Sequence, residues 1–468
     1  MPADLRSFLD ALESAPPGSL ATITREVDPN LQLTGLIRRL QADGRHPVLF
    51  FENVKGTSCR VVANALATRE RLGFVFGVSG EQVVDEYLRR QDRLIPVEHL
   101  ERGASVPVRE VVMTGEAANI LDLPQIVHCG ADAGPYFASG VVLARDPDTG
   151  IYNAGVYRTQ IVSERKVRIY PSAATNLRYL YNKAEAKGEA LEVAWVLGHH
   201  PALLLASQYR GPIDVDELEV AGGLLGEALR MVPAETIALE VPADAEIVVE
   251  GRILPGIREP EGPFGEFTWT LGPAEMNPVA EITAVTRRRD AIYLDVFSAH
   301  AEHNLLGMLP REALLRQRVR AAVPSLKAVS MPLSGTCRFT AYVSIGAAYP
   351  GAAKQAAMAA FASDSFLKQV IVVDDDIDVF NEADVMWAVA TRVQADRDII
   401  VIPDAWTNEL DPSAHQPNDR TRRGGVNAKW IVDATRPADL PVQPRADVPD
   451  EVWRAIRPED FLAERDLR

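Results

Sequence analysis

Pro260-Glu261-Gly262-Pro263-Phe264-Gly265-Glu266 is the stretch around which this chain organises itself. It follows residues 245–254, whose alternation reads as a strand. It cannot lie inside a helix, because Pro263 has no N–H to donate and the glycines favour turns. A strand running into a short, shaped loop marks the surrounding region as β-rich. The loop carries two carboxylates, Glu261 and Glu266, five positions apart. Such a loop can hold one carboxyl against a cation and leave the other protonatable, which suits general acid–base chemistry. On local grounds alone, a surface turn with two solvated glutamates accounts for the same residues.

Outward from this loop, β-rich sequence extends over about residues 106–297. Residues 140–145 and 151–161 flank Asp146-Pro147-Asp148-Thr149-Gly150, a strong hairpin turn. Further strands are expected over 166–170, 191–197, 280–286 and 291–296, with helical insertions over 176–187 and 215–231. The first hundred residues read as mixed α/β: helices over 5–12, 61–71 and 81–91, a strand over 47–51, and a strand or turn over 73–77. Residues 309–323 have helical spacing and many arginines, as a linker helix would. A second α/β unit follows, with strands over 339–345, 370–373 and 399–402 and helices over 352–362 and 383–392. The tail beyond Thr435 is rich in Pro, Asp and Arg, with Trp453 and Phe461 as docking points.

The fold class is therefore mixed α/β (α+β). Its expected parts are an N-terminal α/β unit (1–106), a β-rich domain (107–303), a linker helix (304–323), a C-terminal α/β domain (324–436) and a tail (437–468).

The chain has 468 residues and is 47% hydrophobic, so it can bury a large core. Its formal net charge of −16 argues against general nucleic-acid binding, which needs a basic footprint. An anionic substrate remains compatible, since a few buried arginines can hold one. Cys59, Cys129 and Cys337 are far apart and form no CxxC pair, which disfavours a zinc-thiolate site and fits reducing, cytoplasmic surroundings. No apolar signal core opens the sequence and no run of about 18 apolar residues occurs, so no membrane span is expected.

Several residues are candidates for chemistry. Asn153-Ala154-Gly155-Val156-Tyr157-Arg158 follows the hairpin turn. In a regular strand Asn153 and Arg158 would face opposite sides, unless a bulge or twist intervened. Arg158 can grip a carboxylate bidentately, whether from a substrate or from Glu261; an edge arginine paired with a surface acid is the equal alternative. Glu217 begins a helical stretch, where acids are expected for dipole reasons alone. With Asn153 it would offer oxygen ligands to a hard cation such as Mg²⁺ or Mn²⁺. His199-His200 and His300-Ala301-Glu302-His303 lack the spacing of a helical zinc motif. Of these, His303, placed just before the linker helix, is the better pocket candidate. Asp374-Asp375-Asp376-Ile377-Asp378 lacks the glycine and terminal glutamate of an EF-hand and reads as a strand end whose acids cap the next turn. There is no Gly-x-Ser-x-Gly elbow, no Walker A motif and no Gly-x-Gly-x-x-Gly after a strand.

Taken together, these segments resemble the UbiD-like decarboxylases that use prenylated FMN. The resemblance runs over about residues 50–435 and rests on the shared order of several motifs. Phe51-Glu52-Asn53-Val54-Lys55-Gly56 is similar to the family's N-terminal signature, and Asn153 to Arg158 to its Asn-x-Gly-x-x-Arg segment. Glu261 to Glu266 is similar to its catalytic loop. Val373 to Asp378, Trp387 to Arg392, Lys429 and Asp433-Ala434-Thr435 are similar to its C-terminal domain. The resemblance implies a split-barrel flavin-binding domain and reversible, non-oxidative decarboxylation. Arg158 would hold the substrate carboxylate, Glu261 would orient Arg158, and Glu266 would deliver the proton that replaces CO₂. Burial would raise the pKa of Glu266.

The resemblance also implies that Asn153, Val156, Arg158, Asn176, Glu217 and Lys429 contact the cofactor. Asn153, Glu217 and Asn176 would hold a divalent metal, Mn²⁺ or Mg²⁺, on the flavin phosphate, with K⁺ as a further candidate ion. Asn176 stands where many members have histidine, which points to an oxygen-only site. Glu302-His303-Asn304-Leu305-Leu306-Gly307 is similar to the substrate-pocket segment of members acting on pyrrole-, furan- and indole-carboxylates, so His303 and Asn304 are expected to contact the substrate. A homodimer or larger assembly and a flavin prenyltransferase as cofactor supplier follow from the same resemblance. Hydroxybenzoate or cinnamate-type acids are the alternative substrates. A metal-dependent hydrolase built on Glu217, Asn153 and nearby histidines, and a non-catalytic ligand-binding partner, are the rival classes.

Overall fold

A computed structural model of the chain describes residues 3–172, 175–346, 349–408, 410–414, 425–436, 446 and 448–461. Most of the tail expected over 437–468 lies outside these residues. Of its expected docking points, Trp453 is 70% and Phe461 74% exposed, so neither is buried among the described residues.

The centre is a nine-stranded antiparallel sheet curled into a half-barrel. Its order is Tyr136–Phe137, Thr159–Ser163, Lys166–Ile169, Glu275–Arg287, Ile247–Glu261, Leu191–Leu197, Val141–Arg145 and Tyr152–Val156, with Val111–Thr114 added beside Glu275–Arg287. The strand read over 245–254 continues to Glu261, so Glu261 closes the strand and does not sit on the loop. Its pairing with Glu275–Arg287 shifts register between Glu250 and Gly251 and again between Ile253 and Arg258, bending both strands. Gly251 permits the first shift: a Cβ there would lie 2.5 Å from the Glu281 carbonyl oxygen.

Alternate residues of these strands serve different cores, as a period of two requires. Ala194 and Val196 face a cluster containing Leu5, Phe8, Leu309, Val343 and Val370, which runs continuously from the N-terminal helices to the C-terminal sheet. Val193, Trp195 and Leu197 face a second cluster containing Phe51, Val61, Tyr181 and Val249. Each such fully buried side chain stabilises the fold by roughly 1.5–3 kcal/mol before entropy is counted.

The N-terminal sheet orders Leu20–Ile23, Val48–Phe51, Arg60–Ala63 and Ile292–Leu294, so its last strand comes from the far end of the β-rich region. The helix expected over 61–71 is divided. Arg60–Ala63 is a strand, and the helix Arg69–Phe76 starts at Thr68, whose side chain accepts the Arg71 N–H. Residues 73–77, expected as strand or turn, are the end of that helix, closed by Gly77 at φ 71°. The helix expected over 215–231 is shorter, Glu217–Leu225, because Gly226 turns left-handed at φ 85° and the chain re-enters a strand, Arg230–Pro233.

The linker helix runs from Ala301 to Ala322, with Pro310 inside it. His303 is therefore in its first turn and does not precede it, and Asn304, expected to open it, lies in the same turn. It leads to a five-stranded sheet ordered Leu326–Ser330, Thr340–Ile345, Gln369–Asp374, Val426–Asp433 and Ile399–Trp406, with the three inner strands parallel. The acids at the end of Gln369–Asp374 form arginine ion pairs: Asp374 and Asp376 pair with Arg392, and Asp376 also pairs with Arg436. No described helix is long and apolar enough to cross a membrane.

Candidate active site

Strand Tyr152–Val156 stops one residue before Tyr157, and the chain re-enters the sheet at Thr159. This break resolves the facing problem: Asn153 and Arg158 need not follow one pleat. The Tyr157 ring folds back over Gly155, where a Cβ would lie 2.6 Å from it. Arg158 is left buried at the lip of a cavity, 8% exposed.

Arg158 joins the strand-end carboxylate of Glu261 to the loop carboxylate of Glu266. Nη2 and Nε donate to Glu261 Oε2 at 2.8 and 3.2 Å, and Nη1 donates to Glu266 Oε1. Glu261 is fully buried and fixed from behind, its Oε1 accepting from Tyr136 Oη at 2.9 Å and its Oε2 from Asn277 Nδ2 at 3.0 Å. The guanidinium lies 4.1 Å from the Tyr170 ring centroid and 5.6 Å from that of Phe264. Burial pushes the Glu266 carboxyl up from its ordinary range, against the opposing pull of Arg158. Two carboxylates share one guanidinium here, so a proton on Glu266 leaves the set electrically balanced.

The loop is shaped by close approaches. Phe264–Gly265 pairs with Leu271–Gly272, and the Glu266 N–H donates to the Thr270 carbonyl at 2.9 Å. A Cβ on Gly272 would come within 3.1 Å of both Arg158 Nη1 and Glu266 Cγ. A second loop clamps the first. Asp132 accepts the Gly265 N–H at 2.9 Å through Oδ1 and the Cys129 N–H at 2.8 Å through Oδ2, while the Ala133 N–H donates to the Pro263 carbonyl at 2.9 Å.

The cavity encloses about 410 Å³ between the central sheet, the linker helix and the C-terminal domain, within the usual range for small-molecule sites. Val156, Arg158, Glu266 and His303 line it. The His303 Nδ1 accepts the Ala299 N–H at 3.3 Å, and burial pulls its pKa down to about 3, so the ring is neutral with its proton on Nε2. Asn304 does not line the cavity. It is fully buried behind Arg338, its Oδ1 3.5 Å from Arg338 Nη1, because the helix begins earlier than expected and turns residue 304 inward.

Asn153, Asn176 and Glu217 converge. Glu217 Oε1 accepts from Asn153 Nδ2 at 3.1 Å and from Asn176 Nδ2 at 3.4 Å, and Oε2 accepts the Ala154 N–H at 3.1 Å. Burial raises the Glu217 carboxyl to about 7. Turning the two amides would direct two carbonyl oxygens and one carboxylate at a common point, a donor set for a hard cation. Asn176 also opens the helix Asn176–Ala186, whose N-terminus favours an anion. These residues fit a metal-bridged phosphate. No histidine stands with them among the described residues: His200 instead caps the helix Pro201–Ala206, and His199 is buried. Lys429 makes no contact with this group among the described residues. Its Nζ donates to the Ser365 carbonyl at 2.8 Å and to that of Leu367.

Sequence reading missed Asp132, Tyr136 and Asn277, and two further arginines of the cavity wall, Arg311 and Arg338. Asp132 sits in Cys129-Gly130-Ala131-Asp132-Ala133-Gly134, which reads as an ordinary turn; nothing local marks the loop it holds.

Comparison with known proteins identifies the family. Family models described as the N-terminal, Rift-related and C-terminal domains of 3-octaprenyl-4-hydroxybenzoate carboxy-lyase, UbiD, match residues 9–91, 100–301 and 304–434. The anhydromevalonate phosphate decarboxylase of Methanothermobacter thermautotrophicus is 35% identical over 91% of this chain and 96% of its own. The UbiD-class enzyme HmfF of Pelotomaculum thermopropionicum, solved in complex with FMN, superposes with a TM-score of 0.91 at 41% identity, covering 98% of this chain and all of that one. An evolved dimeric form of the same enzyme, in complex with prFMN, gives 0.88 at 38% identity, again over 98% of this chain and all of that one.

Proposed function

The chain belongs to the UbiD family of carboxy-lyases, and from that membership we propose that it decarboxylates, reversibly and without net oxidation, a heteroaromatic acid of the pyrrole-, furan- or indole-carboxylate type on prenylated FMN. The observation that carries this reading is the convergence of Arg158, Glu261 and Glu266 at one buried cavity.

The substrate carboxylate takes the face of Arg158 that Glu266 occupies, while Glu261 keeps its grip on the other edge. Displaced from its counter-ion in a water-poor cavity, Glu266 is held as the neutral acid. Loss of CO₂ leaves an electron pair on the ring carbon, and Glu266 delivers a proton to that carbon. A prenylated flavin bound in the cavity would supply the electron sink for that pair. Asn153, Asn176 and Glu217 would hold its phosphate through Mn²⁺ or Mg²⁺, with K⁺ as a further ion. Lys429 and Val156 would complete the cofactor contacts. The C-terminal domain forms one wall of the cavity, and its closure over the site would exclude water.

The enzyme acts in the cytoplasm as a homodimer or larger assembly and receives its cofactor from a flavin prenyltransferase. Its proposed divisions are the N-terminal α/β unit over 1–106, the flavin-binding domain over 107–303, the linker helix over 304–323, the C-terminal α/β domain over 324–436 and the tail over 437–468. The hydrolase alternative is the weaker one, because one carboxylate and two amides leave little charge for activating water at a metal. Co-expression with a flavin prenyltransferase, followed by absorbance and mass analysis of the bound cofactor and a CO₂-release assay across an acid panel, tests the proposal. Prenylated flavin with release of CO₂ from heteroaromatic acids is expected. Unmodified flavin, or turnover of cinnamate-type acids alone, would contradict it.

A further inference from the structure

Gly265 is gripped between two segments of chain. A Cβ there would lie 2.8 Å from Cys129 Sγ and 3.0 Å from the Ala299 Cβ, so the residue before Glu266 has no clearance on either side. The first segment, Cys129 to Ala133, also holds the loop through Asp132. The second runs from Asp295 to His303. It leaves the strand Ile292–Leu294, supplies Val296, Ser298 and His303 to the cavity wall, and enters the linker helix. The distance between these two segments limits where Gly265, and Glu266 beside it, can lie.

One buried pair joins them. His128 immediately precedes the first segment, and its Nε2 lies 3.1 and 3.0 Å from the two carboxylate oxygens of Asp295, with both side chains fully buried. Each partner is anchored on its own side. The His128 carbonyl accepts from Thr34 Oγ1 at 3.1 Å, and the Asp295 N–H donates to the Val62 carbonyl at 2.7 Å. The Phe297 ring stacks on His128 with centroids 6.1 Å apart, and on His300, the residue before the linker helix, at 4.3 Å. Burial works against charge on His128, but Asp295, Asp132 and Glu302 outweigh it and raise the pKa of the ring, which favours the imidazolium.

Neither His128 nor Asp295 is among the residues lining the cavity, so their effect on the reaction runs through the backbone they hold. Two charges taken out of water are a poor source of stability beside apolar packing, but they fix one geometry between the segments they join.

We propose that His128 and Asp295 are positioning residues for proton delivery: their ion pair sets the separation of the two segments that grip Gly265, and with it the placement of the Glu266 carboxyl. This rests on the decarboxylase reading above and adds to it two residues that touch neither substrate nor cofactor.

The test uses cofactor-loaded protein and whichever acid of the panel above releases CO₂ fastest, with kcat taken per bound flavin. Asp295→Asn leaves the imidazolium without its counter-charge. It should lower kcat by about tenfold to a hundredfold and leave KM within about threefold of the wild type, as displacement of an acid does and simple loss of folded protein does not. His128→Gln should do the same. The double variant His128→Gln with Asp295→Asn exchanges the ion pair for a neutral hydrogen-bonded pair and should be about tenfold faster than the slower single variant. Wild-type kcat per bound flavin in Asp295→Asn, or a double variant no faster than the slower single one, overturns the proposal.

Amide hydrogen exchange in the wild type decides the matter whether or not the variants fold. The N–H groups of Cys129, Gly265 and Asp295 should be protected to within about tenfold of one another, because segments locked together open together. Gly265 exchanging faster than Asp295 by more than that would show the loop opening while the pair stays closed, and would overturn the lock. If no acid of the panel releases CO₂ while the three protections agree, the decarboxylase reading has failed and the lock stands.

Discussion

Arg158 grips Glu261 with two nitrogens, Nε at 3.2 Å and Nη2 at 2.8 Å, and both bonds end on the same oxygen, Oε2. The other oxygen is taken by Tyr136, so Glu261 cannot turn away and the guanidinium plane is fixed. One nitrogen, Nη1, remains turned toward Glu266 and the cavity. An arginine held this way would offer the proposed substrate carboxylate a seat whose orientation is settled before binding.

Lysine at position 158 would keep the charge and lose the fork. Arg158→Lys is expected to cut kcat/KM by about a hundredfold or more, and Arg158→Ala further still, since it also strands Glu261 as an uncompensated buried charge. Steady-state kinetics with melting curves would check this. Arg158→Lys at wild-type activity would contradict the seat.

Asp132 touches neither Arg158 nor Glu266 in the contacts above, and it fastens the backbone between them through Gly265. It is a positioning residue. Asp132→Ala should lower kcat by about tenfold to a hundredfold with little change in KM, as displacement of a general acid does. Asp132→Asn, which can keep the acceptor facing Gly265, should recover much of the loss. Equal kcat in all three proteins would assign Asp132 no such part.

Glu261 and Glu266 stood out in the sequence because Gly262 and Pro263 exclude a helix, but a solvated surface turn fitted them equally, and Glu261 in fact closes a strand. Arg158 was legible as a carboxylate binder, but its partners became evident only through resemblance, since its odd spacing from Asn153 gives no sign that the strand breaks at Tyr157. Arg338 left no trace, because Cys337-Arg338-Phe339 has no pattern and its place in the cavity wall is a property of tertiary packing. Val61 and Val62 were misassigned for a related reason. A short apolar run reads equally as helix or strand, and only pairing with Phe51 and Phe50 decides it.

Glu217 is buried and meets only amide donors among the described residues, which leaves a place for a cation. Glu217→Gln should lower retention of divalent metal and flavin together by about tenfold or more, as loss of a charged ligand does. Metal analysis and absorbance of the purified protein would measure this, and chelation before cofactor loading should mimic it. Full flavin content after chelation would contradict a metal-bridged phosphate.

Glu302 carries a structural prediction. It is fully buried and accepts N–H bonds from Asn64, Leu66 and Phe297 at 3.0, 3.1 and 3.3 Å, tying the N-terminal sheet to the linker helix. Glu302→Ala should destabilise the protein by about 3 kcal/mol, leaving three buried donors unmet. Burial raises this carboxyl from 4.5 to about 7, so the folded state holds a proton that the unfolded state has released between those values. The contribution of Glu302 is complete below pH 4.5 and is lost as pH rises through about 7. Denaturant midpoints across that range should fall in the wild type and fall less in Glu302→Gln.

The most direct test of the whole account is deuterium incorporation from D₂O at the ring carbon of the decarboxylated product, followed by NMR with cofactor-loaded protein. Burial raises the Glu266 pKa, so exchange in the wild type should proceed while Glu266 is protonated and decline as pH rises through that elevated value. Glu266→Gln should show no exchange at any pH while its flavin absorbance is unchanged. Exchange at the wild-type rate in Glu266→Gln would contradict the assignment of Glu266 as the acid, and with it the mechanism.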